Sequence, residues 1–249
     1  MPRFFLPPAA WLASGPQPAL TGDEARHLAQ VLRIQPGATI TVFDGQGHRA
    51  HASVLEVTRT RVPLELGAAL PSRPVLPVIT LAQAIPKGKN MDLIVQKAVE
   101  LGIASIQPLV TRHTIVHPSE GKSEKWRRIA LEACKQCGQD LLPDIPEALA
   151  FDAWLAAQAA AVTTASPSRL SLIASLAPAA RPLREILHEH PGTTHVTLLI
   201  GPEGDFSPEE TSAALAVGFV PISLGAIVLR VETASLFCLS ALRYEFARF

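Results

Sequence analysis

The chain has 249 residues, 48% of them hydrophobic and 18% charged, a globular composition that excludes a disordered chain and is long enough to bury a core. Its 22 Lys+Arg balance 22 Asp+Glu, which argues against the basic excess of a dedicated nucleic-acid binder, yet residues 1–140 carry a net +5 and residues 141–249 a net −5. Three cysteines cannot form a disulfide framework, no apolar run reaches the length of a membrane span, and Pro7, Pro8, Pro16 and Pro18 break up the apolar start, so neither a transmembrane helix nor a signal peptide is predicted and a cytoplasmic protein is expected.

The first 66 residues read as a small β-rich unit. Thr21-Gly22-Asp23-Glu24 has the form of a capping box ahead of a short helix with His27, Leu28, Val31 and Leu32 on one face. Residues 38–43 alternate as a strand, Asp44-Gly45-Gln46-Gly47 is a turn, and 48–57 return as a second strand. This spacing predicts a small barrel. The Pro-rich stretch 67–77 reads as a linker, giving domains over 1–70 and 75–249.

Beyond the linker, strands alternate with helices. Strands are predicted over 78–83, 103–110, 170–176, 196–200 and 219–224. Helices are predicted over 91–101 (capped by Gly102), 124–137, near 184–188, from Pro208, and over 232–246. The Ala-rich stretch 153–165 reads as a surface helix leading into a Ser/Pro loop around Pro167. The result is an α/β domain with a mostly parallel sheet.

Two loops near the C-terminus follow apolar strands, where open α/β sheets bind ligands. The first runs Leu198-Leu199-Ile200-Gly201-Pro202-Glu203-Gly204-Asp205-Phe206-Ser207-Pro208-Glu209-Glu210. Ser207 is placed as an N-cap and Pro208 as the first helical residue, and Glu209 and Glu210 already complement the helix dipole. A polyanion would meet four carboxylates, and no Gly-Lys-Ser/Thr follows, so a neutral or cationic ligand fits better. A plain strand-to-helix turn explains the same residues. The second loop, Ile222 to Ser235, carries apolar Ile227-Val228-Leu229 between strand and helix, a pattern expected to tuck inward, flanked by Arg230 and Glu232. That flanking pair also reads as a structural ion pair, with Glu232 serving the helix start.

In Gly201-Pro202-Glu203-Gly204, Leu224-Gly225 and Leu229-Arg230-x-Glu232-Thr233-Ala234 the sequence resembles the knotted SPOUT-class RNA methyltransferases. It is most similar to the bacterial enzymes that methylate N3 of a uridine in 16S ribosomal RNA. Arg3-Phe4-Phe5, His27-Leu28-x-x-Val31-Leu32-Arg33, Asp44-Gly45-x-Gly47 and Lys87-Gly88 match in order. So do Met91-Asp92-x-Ile94-x-Gln96-Lys97-Ala98-x-Glu100-Leu101-Gly102 and Trp126-x-x-Ile129-x-x-Glu132-Ala133 with Gln136, so the resemblance spans essentially the whole chain. It implies a small PUA-like β-barrel followed by an α/β domain with a deep trefoil knot, a homodimer, and S-adenosylmethionine bound between the knot loops. Ser175, Leu176, Leu199, Ile200, Gly201, Pro202, Glu203, Gly204, Leu224, Gly225, Ile227, Leu229, Thr233 and Ala234 would hold the cofactor. No metal is implied. Two positions depart from the family pattern: Ile227 and Gln139 stand where an Arg is usual.

Methyl transfer to uridine N3 needs a cation for the charge developing on O2/O4 and an acceptor for the N3 proton. Arg230 is assigned the first role and Glu232 the second, although helix capping explains Glu232 equally well. Arg3, Arg26, Arg33, Lys87, Lys89, Arg112, Lys125, Arg127 and Arg128 are the candidate contacts to the RNA backbone, with solvated surface charge as the alternative for each. Phe4 and Phe5 read as core or as base-stacking groups. Cys134-x-x-Cys137, with both thiols on one helix face, lacks a second ligand pair and reads as packing; His113 and His117 are assigned no role. Leu236, Leu239, Leu242 and Phe246 read as a dimer face or as core. Methylation at another RNA position or at a ribose, and RNA binding without catalysis, remain the alternatives.

Overall fold

The computed structural model describes residues 1–11, 17–72, 75–116, 121–161 and 168–246; His117, the loop around Pro167 and linker residues 73 and 74 lie outside the described residues. The chain divides into two compact units, Met1–Pro74 with Leu131–Leu142, and Val75–Ala130 with Pro143–Phe249.

In the first unit, β1 (Arg3–Phe5), β2 (Ala19–Thr21), β3 (Thr39–Phe43), β4 (His48–Val54), β5 (Arg61–Leu66) and β6 (Leu70–Pro71) form one sheet. Its order is β1-β3-β4-β5-β2, with β6 added to β4. The hairpin β3–β4 pairs Thr41 with His51, and alternation turns Ala50, Ala52 and Val54 inward onto Ile40, Val42, Phe4 and Leu64. Its turn is held by Asp44, which accepts the N–H groups of Gln46 (2.7 Å) and His48 (3.0 Å) and pairs with the His48 ring. Burial alone would raise the Asp44 pKa, but these donors lower it below the ordinary carboxylate value.

Two local expectations fail here. Thr21 makes no side-chain cap at α1 (Gly22–Arg26), and the other half of the box is lost because the Glu24 carboxylate goes to the Phe5 N–H and to Lys135. Val31 and Leu32 do not share the buried face with Leu28. Residues His27–Val31 form a π-turn, closed by Leu32 N–H to His27 carbonyl, and the extra residue per turn rotates both side chains into solvent.

The segment Leu131–Leu142 belongs to the first unit through specific contacts. Leu142 N–H donates to Gly45 carbonyl, and Gly47 N–H to Asp140 carbonyl. Gly45 has φ 76°, and a Cβ there would lie 3.2 Å from Leu142 and from Phe5, so only glycine suits the contact.

The second unit holds seven strands: β7 (Val78–Ala84), β8 (Ser105–Val110), β9 (Leu149–Ala150), β10 (Arg169–Ala174), β11 (Arg181–Pro182), β12 (His195–Ile200) and β13 (Val220–Ser223). All pairs are parallel, in the order β11-β13-β10-β12-β7-β8-β9. The apolar runs in β7 and β12 match a sheet covered on both faces. The helices are α2 (Asn90–Glu100), α3 (Lys122–Cys137, entering the first unit at Leu131), α4 (Phe151–Ala161), α5 (Leu183–Glu189), α6 (Pro208–Ala216) and α7 (Val231–Phe246). Phe151, Trp154 and Leu155 of α4 are buried with Leu199, Phe206 and Ala214, so the Ala-rich segment is a core-bearing helix and not merely a surface one. On α3, Cys134 is buried and Cys137, one turn further along, is exposed. Burial pushes the Cys134 thiol up to about 12, as befits a packing group.

Helices α2 and α7 pack on each other. Leu239, Leu242 and Phe246 are buried in this chain's own core, while Phe237 and Tyr244 stand outward. Arg243 is tied inward by carbonyls alone, those of Leu101 (2.7 Å), Pro77 (2.7 Å), Val75 (3.3 Å) and Gly102, which closes the end of α2. No helix among the described residues is long and apolar enough to cross a membrane.

Candidate functional site

Sheet register builds the site. Ile173 pairs with Leu199 and Ala174 with Ile222, so β10, β12 and β13 end side by side. The three loops that leave them enclose a cavity of about 760 Å³. The strand order reverses at this point, since β10 leads back to the opposite side of β12 from β8 and β9.

The loop after β12 is held by its own residues and by the turn after β8. Asp205 has φ 57° and accepts Phe206 N–H at 2.8 Å. A Cβ on Gly201 would come within 3.1–3.3 Å of Asp205 and Phe206, and one on Gly204 within 3.1 Å of His113. His113 Nδ1 bonds the Asp205 carbonyl at 2.9 Å. At the start of α6 the expected Ser207 N-cap forms, and Glu210 completes it as a capping box: Ser207 Oγ accepts Glu210 N–H (3.2 Å) and Glu210 accepts Ser207 N–H (2.9 Å), with Pro208 in the first turn. The other Glu210 oxygen accepts Arg112 N–H at 2.8 Å. Glu209 is held below its ordinary pKa, chiefly by a hydrogen bond from Ser207 and one from backbone, with Arg112 adding to it.

The loop after β13 does not tuck inward as the sequence led one to expect. Ile227 is 79% and Val228 71% exposed, because both belong to the cavity wall instead of the core. Arg230 is exposed on the same wall and has no ion pair among the described residues. Glu232, two residues on, accepts Asn90 Nδ2 at 3.0 Å.

Of the residues named from sequence, the cavity is lined by Ser175, Leu176, Ile200, Gly201, Pro202, Glu203, Leu224, Gly225, Ile227, Leu229, Arg230, Glu232 and Ala234. Three others are placed differently. Leu199 points to the opposite face of β12, into the cluster with Phe151 and Phe206; Gly204 packs on His113; Thr233 faces outward on α7. Sequence reasoning missed Asn90 and Asp205. Asp205 lies beside the Gly201–Gly204 segment that was named; Asn90 had no signal, because only the packing of α2 on α7 brings it there.

The basic candidates separate by environment. Arg3 is not a surface cation: its guanidinium meets Asp140 at 2.6 Å, with the side chain only 15% exposed, and lies over Phe43. Arg127 donates to Ile145 carbonyl (2.7 Å) and Glu147 (2.9 Å), and Lys125 pairs with Asp92. Arg26, Arg112 and Arg128 make exposed pairs with Asp23, Glu209 and Glu124, which water screens. Arg33, Lys87 and Lys89 are exposed without an ion pair among the described residues. The Lys87 backbone N–H is tied to Glu203 at 2.9 Å, so the Lys87-Gly88-Lys89 turn stands beside the cavity. Phe4 is core, and Phe5 packs edge-on to Phe43. Among the described residues no cluster of His, Cys, Asp or Glu is arranged to hold a metal.

A parallel α/β unit with a cavity at the adjoining ends of its strands, where the strand order reverses, places the protein in the class of open α/β proteins that hold a small ligand at a switch point. The chain belongs to the RNA methyltransferase family: residues 73–243 match the RNA methyltransferase domain and residues 20–66 the RNA methyltransferase PUA domain. It is 34% identical to ribosomal RNA small subunit methyltransferase E of Synechocystis sp., over 86% of this chain and 69% of that protein. The ribosomal RNA small subunit methyltransferase E of Neisseria gonorrhoeae, solved bound to S-adenosyl methionine, is 30% identical. It superimposes with TM-score 0.85 over 100% of this chain and 99% of that one. A methyltransferase of Legionella pneumophila, solved with bound cofactor SAM, is 31% identical with TM-score 0.83, over 99% and 98% of the chains.

Proposed function

We propose that this chain transfers a methyl group from S-adenosylmethionine to N3 of a uridine in small-subunit ribosomal RNA. The observation that carries the reading is the placement of Arg230 and Glu232 together on the wall of the 760 Å³ cavity, at the start of α7. The cavity suits the cofactor chemically. Leu176, Ile227 and Val228 give an apolar surface for an adenine ring, the strand-end backbone supplies hydrogen bonds, and Glu203, Asp205 and Glu232 tolerate a sulfonium and oppose a polyphosphate. When bound, the cofactor supplies an electrophilic methyl group carried on sulfur. The chain's own part is to make N3 nucleophilic. Glu232 accepts the N3 proton as the N3–methyl bond forms, and Arg230 offsets the negative charge that develops on O2 and O4.

The remaining parts of the reading follow from particular residues. Lys87, Lys89 and Arg33 hold the RNA backbone, the first unit acting as the RNA-gripping domain ahead of a methyltransferase domain beginning near residue 75. A second copy of the chain covers the outer stripe of α7, where Thr233, Phe237, Ser240 and Tyr244 recur at helical spacing, with Phe237 47% and Tyr244 89% exposed. A knotted path is supported by the last crossing. After β13 the chain returns past the ends of β10 and β12 to lay α7 on α2. A cytoplasmic location follows from a ribosomal substrate.

Mapping modified nucleotides in ribosomal RNA from a strain lacking the gene tests the reading. Loss of an N3-methyluridine, restored by the wild-type gene, is the expected result. Loss of a different mark redirects it to another position, and an unchanged RNA together with no saturable cofactor binding by calorimetry leaves only an RNA-binding protein.

A further inference from the structure

We propose that Asn90 is a positioning residue of the transfer site: its side-chain amide holds the Glu232 carboxylate in the orientation from which its other oxygen meets the substrate. The inference rests on the reading of Glu232 as the proton acceptor.

Asn90 is the first residue of α2, one past the N-cap position Lys89, and α2 has no side-chain cap. Its amide reaches out of the helix, donating from Nδ2 to Glu232 Oε2 at 3.0 Å across a separation of 142 residues. Both side chains line the cavity. The other Glu232 oxygen makes no hydrogen bond among the described residues.

The backbone beneath Glu232 is already fixed. Ser235, one turn further along α7, is fully buried; its hydroxyl donates to Gln83 Oε1 at 2.6 Å and lies 3.0 Å from the Val231 carbonyl. Gln83 is itself fully buried at the end of β7. With the Cα position set in this way, the freedom left to Glu232 lies in its side-chain torsions, each with several staggered wells. One hydrogen bond from Asn90 selects among them. Misplacing a reacting group by about 1 Å costs on the order of 100-fold in rate, so such a selection is visible in catalysis.

The test uses the full-length protein and small ribosomal subunits from a strain lacking the gene. Single-turnover rate, KM for the subunit and cofactor affinity are measured for wild type, Asn90→Ala, the isosteric Asn90→Asp, Glu232→Gln and the Asn90→Ala/Glu232→Gln pair. Asn90→Ala and Asn90→Asp are expected to lower the rate about tenfold or more, with KM and cofactor affinity within about twofold of wild type. In the Glu232→Gln background, Asn90→Ala is expected to cost less than about twofold, because the group it positions is already gone. Wild-type rate in both Asn90 variants beside an impaired Glu232→Gln overturns this proposal alone. An equal, independent loss from Asn90→Ala in the Glu232→Gln background makes Asn90 a structural tie and also overturns it. Full activity in Glu232→Gln overturns the acceptor assignment together with this proposal.

Discussion

Arg3 and Asp140 are 137 residues apart in the chain and 2.6 Å apart in the folded unit. Asp140, its side chain 2% exposed, also accepts from Arg49 at 3.0 Å and from the Ser72 hydroxyl. Three segments of the first unit are therefore joined at one carboxylate.

That carboxylate predicts a pH-dependent stability. Burial alone would raise the Asp140 pKa, but Ser72, Arg3 and Arg49 more than offset this and hold it below its ordinary value. A depressed folded-state pKa stabilises at pH above the unfolded value and loses that contribution as pH falls through the folded value. Asp140→Asn is expected to cost about 3 kcal/mol at pH 7, because it leaves the Arg3 guanidinium inside without its counter-charge. Urea unfolding at pH 7 and again below pH ~4 checks this; the gap between wild type and variant should shrink at the lower pH.

RNA affinity should follow which cations are free, not which are present. Lys87→Glu and Lys89→Glu are expected to weaken binding to ribosomal RNA and each to reduce the slope of log affinity against log salt by about 1 or more. Arg127→Gln, which removes a pair with Glu147, should leave that slope unchanged. Binding titrations over a range of salt measure both.

Arg230 is exposed on the cavity wall without an ion pair among the described residues, so its removal strands no buried partner among them. Arg230→Ala is expected to lower single-turnover methylation by about 100-fold or more with cofactor affinity near wild type. Full activity in this variant would remove Arg230 from the mechanism.

The two faces of α7 should respond oppositely to charge. Phe237→Glu and Tyr244→Glu are expected to yield folded monomers by sedimentation velocity. Leu239→Glu, at 1% exposure, should unfold the chain because it places an unpaired carboxylate in the core. Dimers persisting in the first two variants would move the interface elsewhere.

The box at α6 links stability to the cavity. Ser207→Ala should cost about 1 kcal/mol in urea unfolding. Glu210→Ala should cost more, since it frees the N–H groups of both Ser207 and Arg112. Both are expected to weaken cofactor binding by calorimetry, because the loop after β12 loses its anchor.

The contrast between two similar sequence patterns shows where local reading stops. Ser207-Pro208-Glu209-Glu210 formed its box because Ser207 and Glu210 lie three residues apart and the distant Arg112 N–H takes only the other Glu210 oxygen. Thr21-Gly22-Asp23-Glu24 did not, because Lys135, 111 residues away, and the Phe5 N–H claimed Glu24. In the same way, alternation and apolar runs placed most strands of the parallel sheet, while the short edge strands β1, β2, β9 and β11 carry too few residues to show a period. The strand-end loops of the cavity, with Arg230 and Glu232, were legible because each follows its strand directly. Sequence by itself determined the alternating α/β plan, the α6 cap and most of the cavity wall, since these rest on neighbours a few residues apart. Only the tertiary structure decided that Arg3 is consumed by Asp140, that Val31 and Leu32 turn outward, that the core claims one side of α7, and that Asn90 meets Glu232, since hydrogen bonds and burial between distant segments exist only once the chain has closed upon itself.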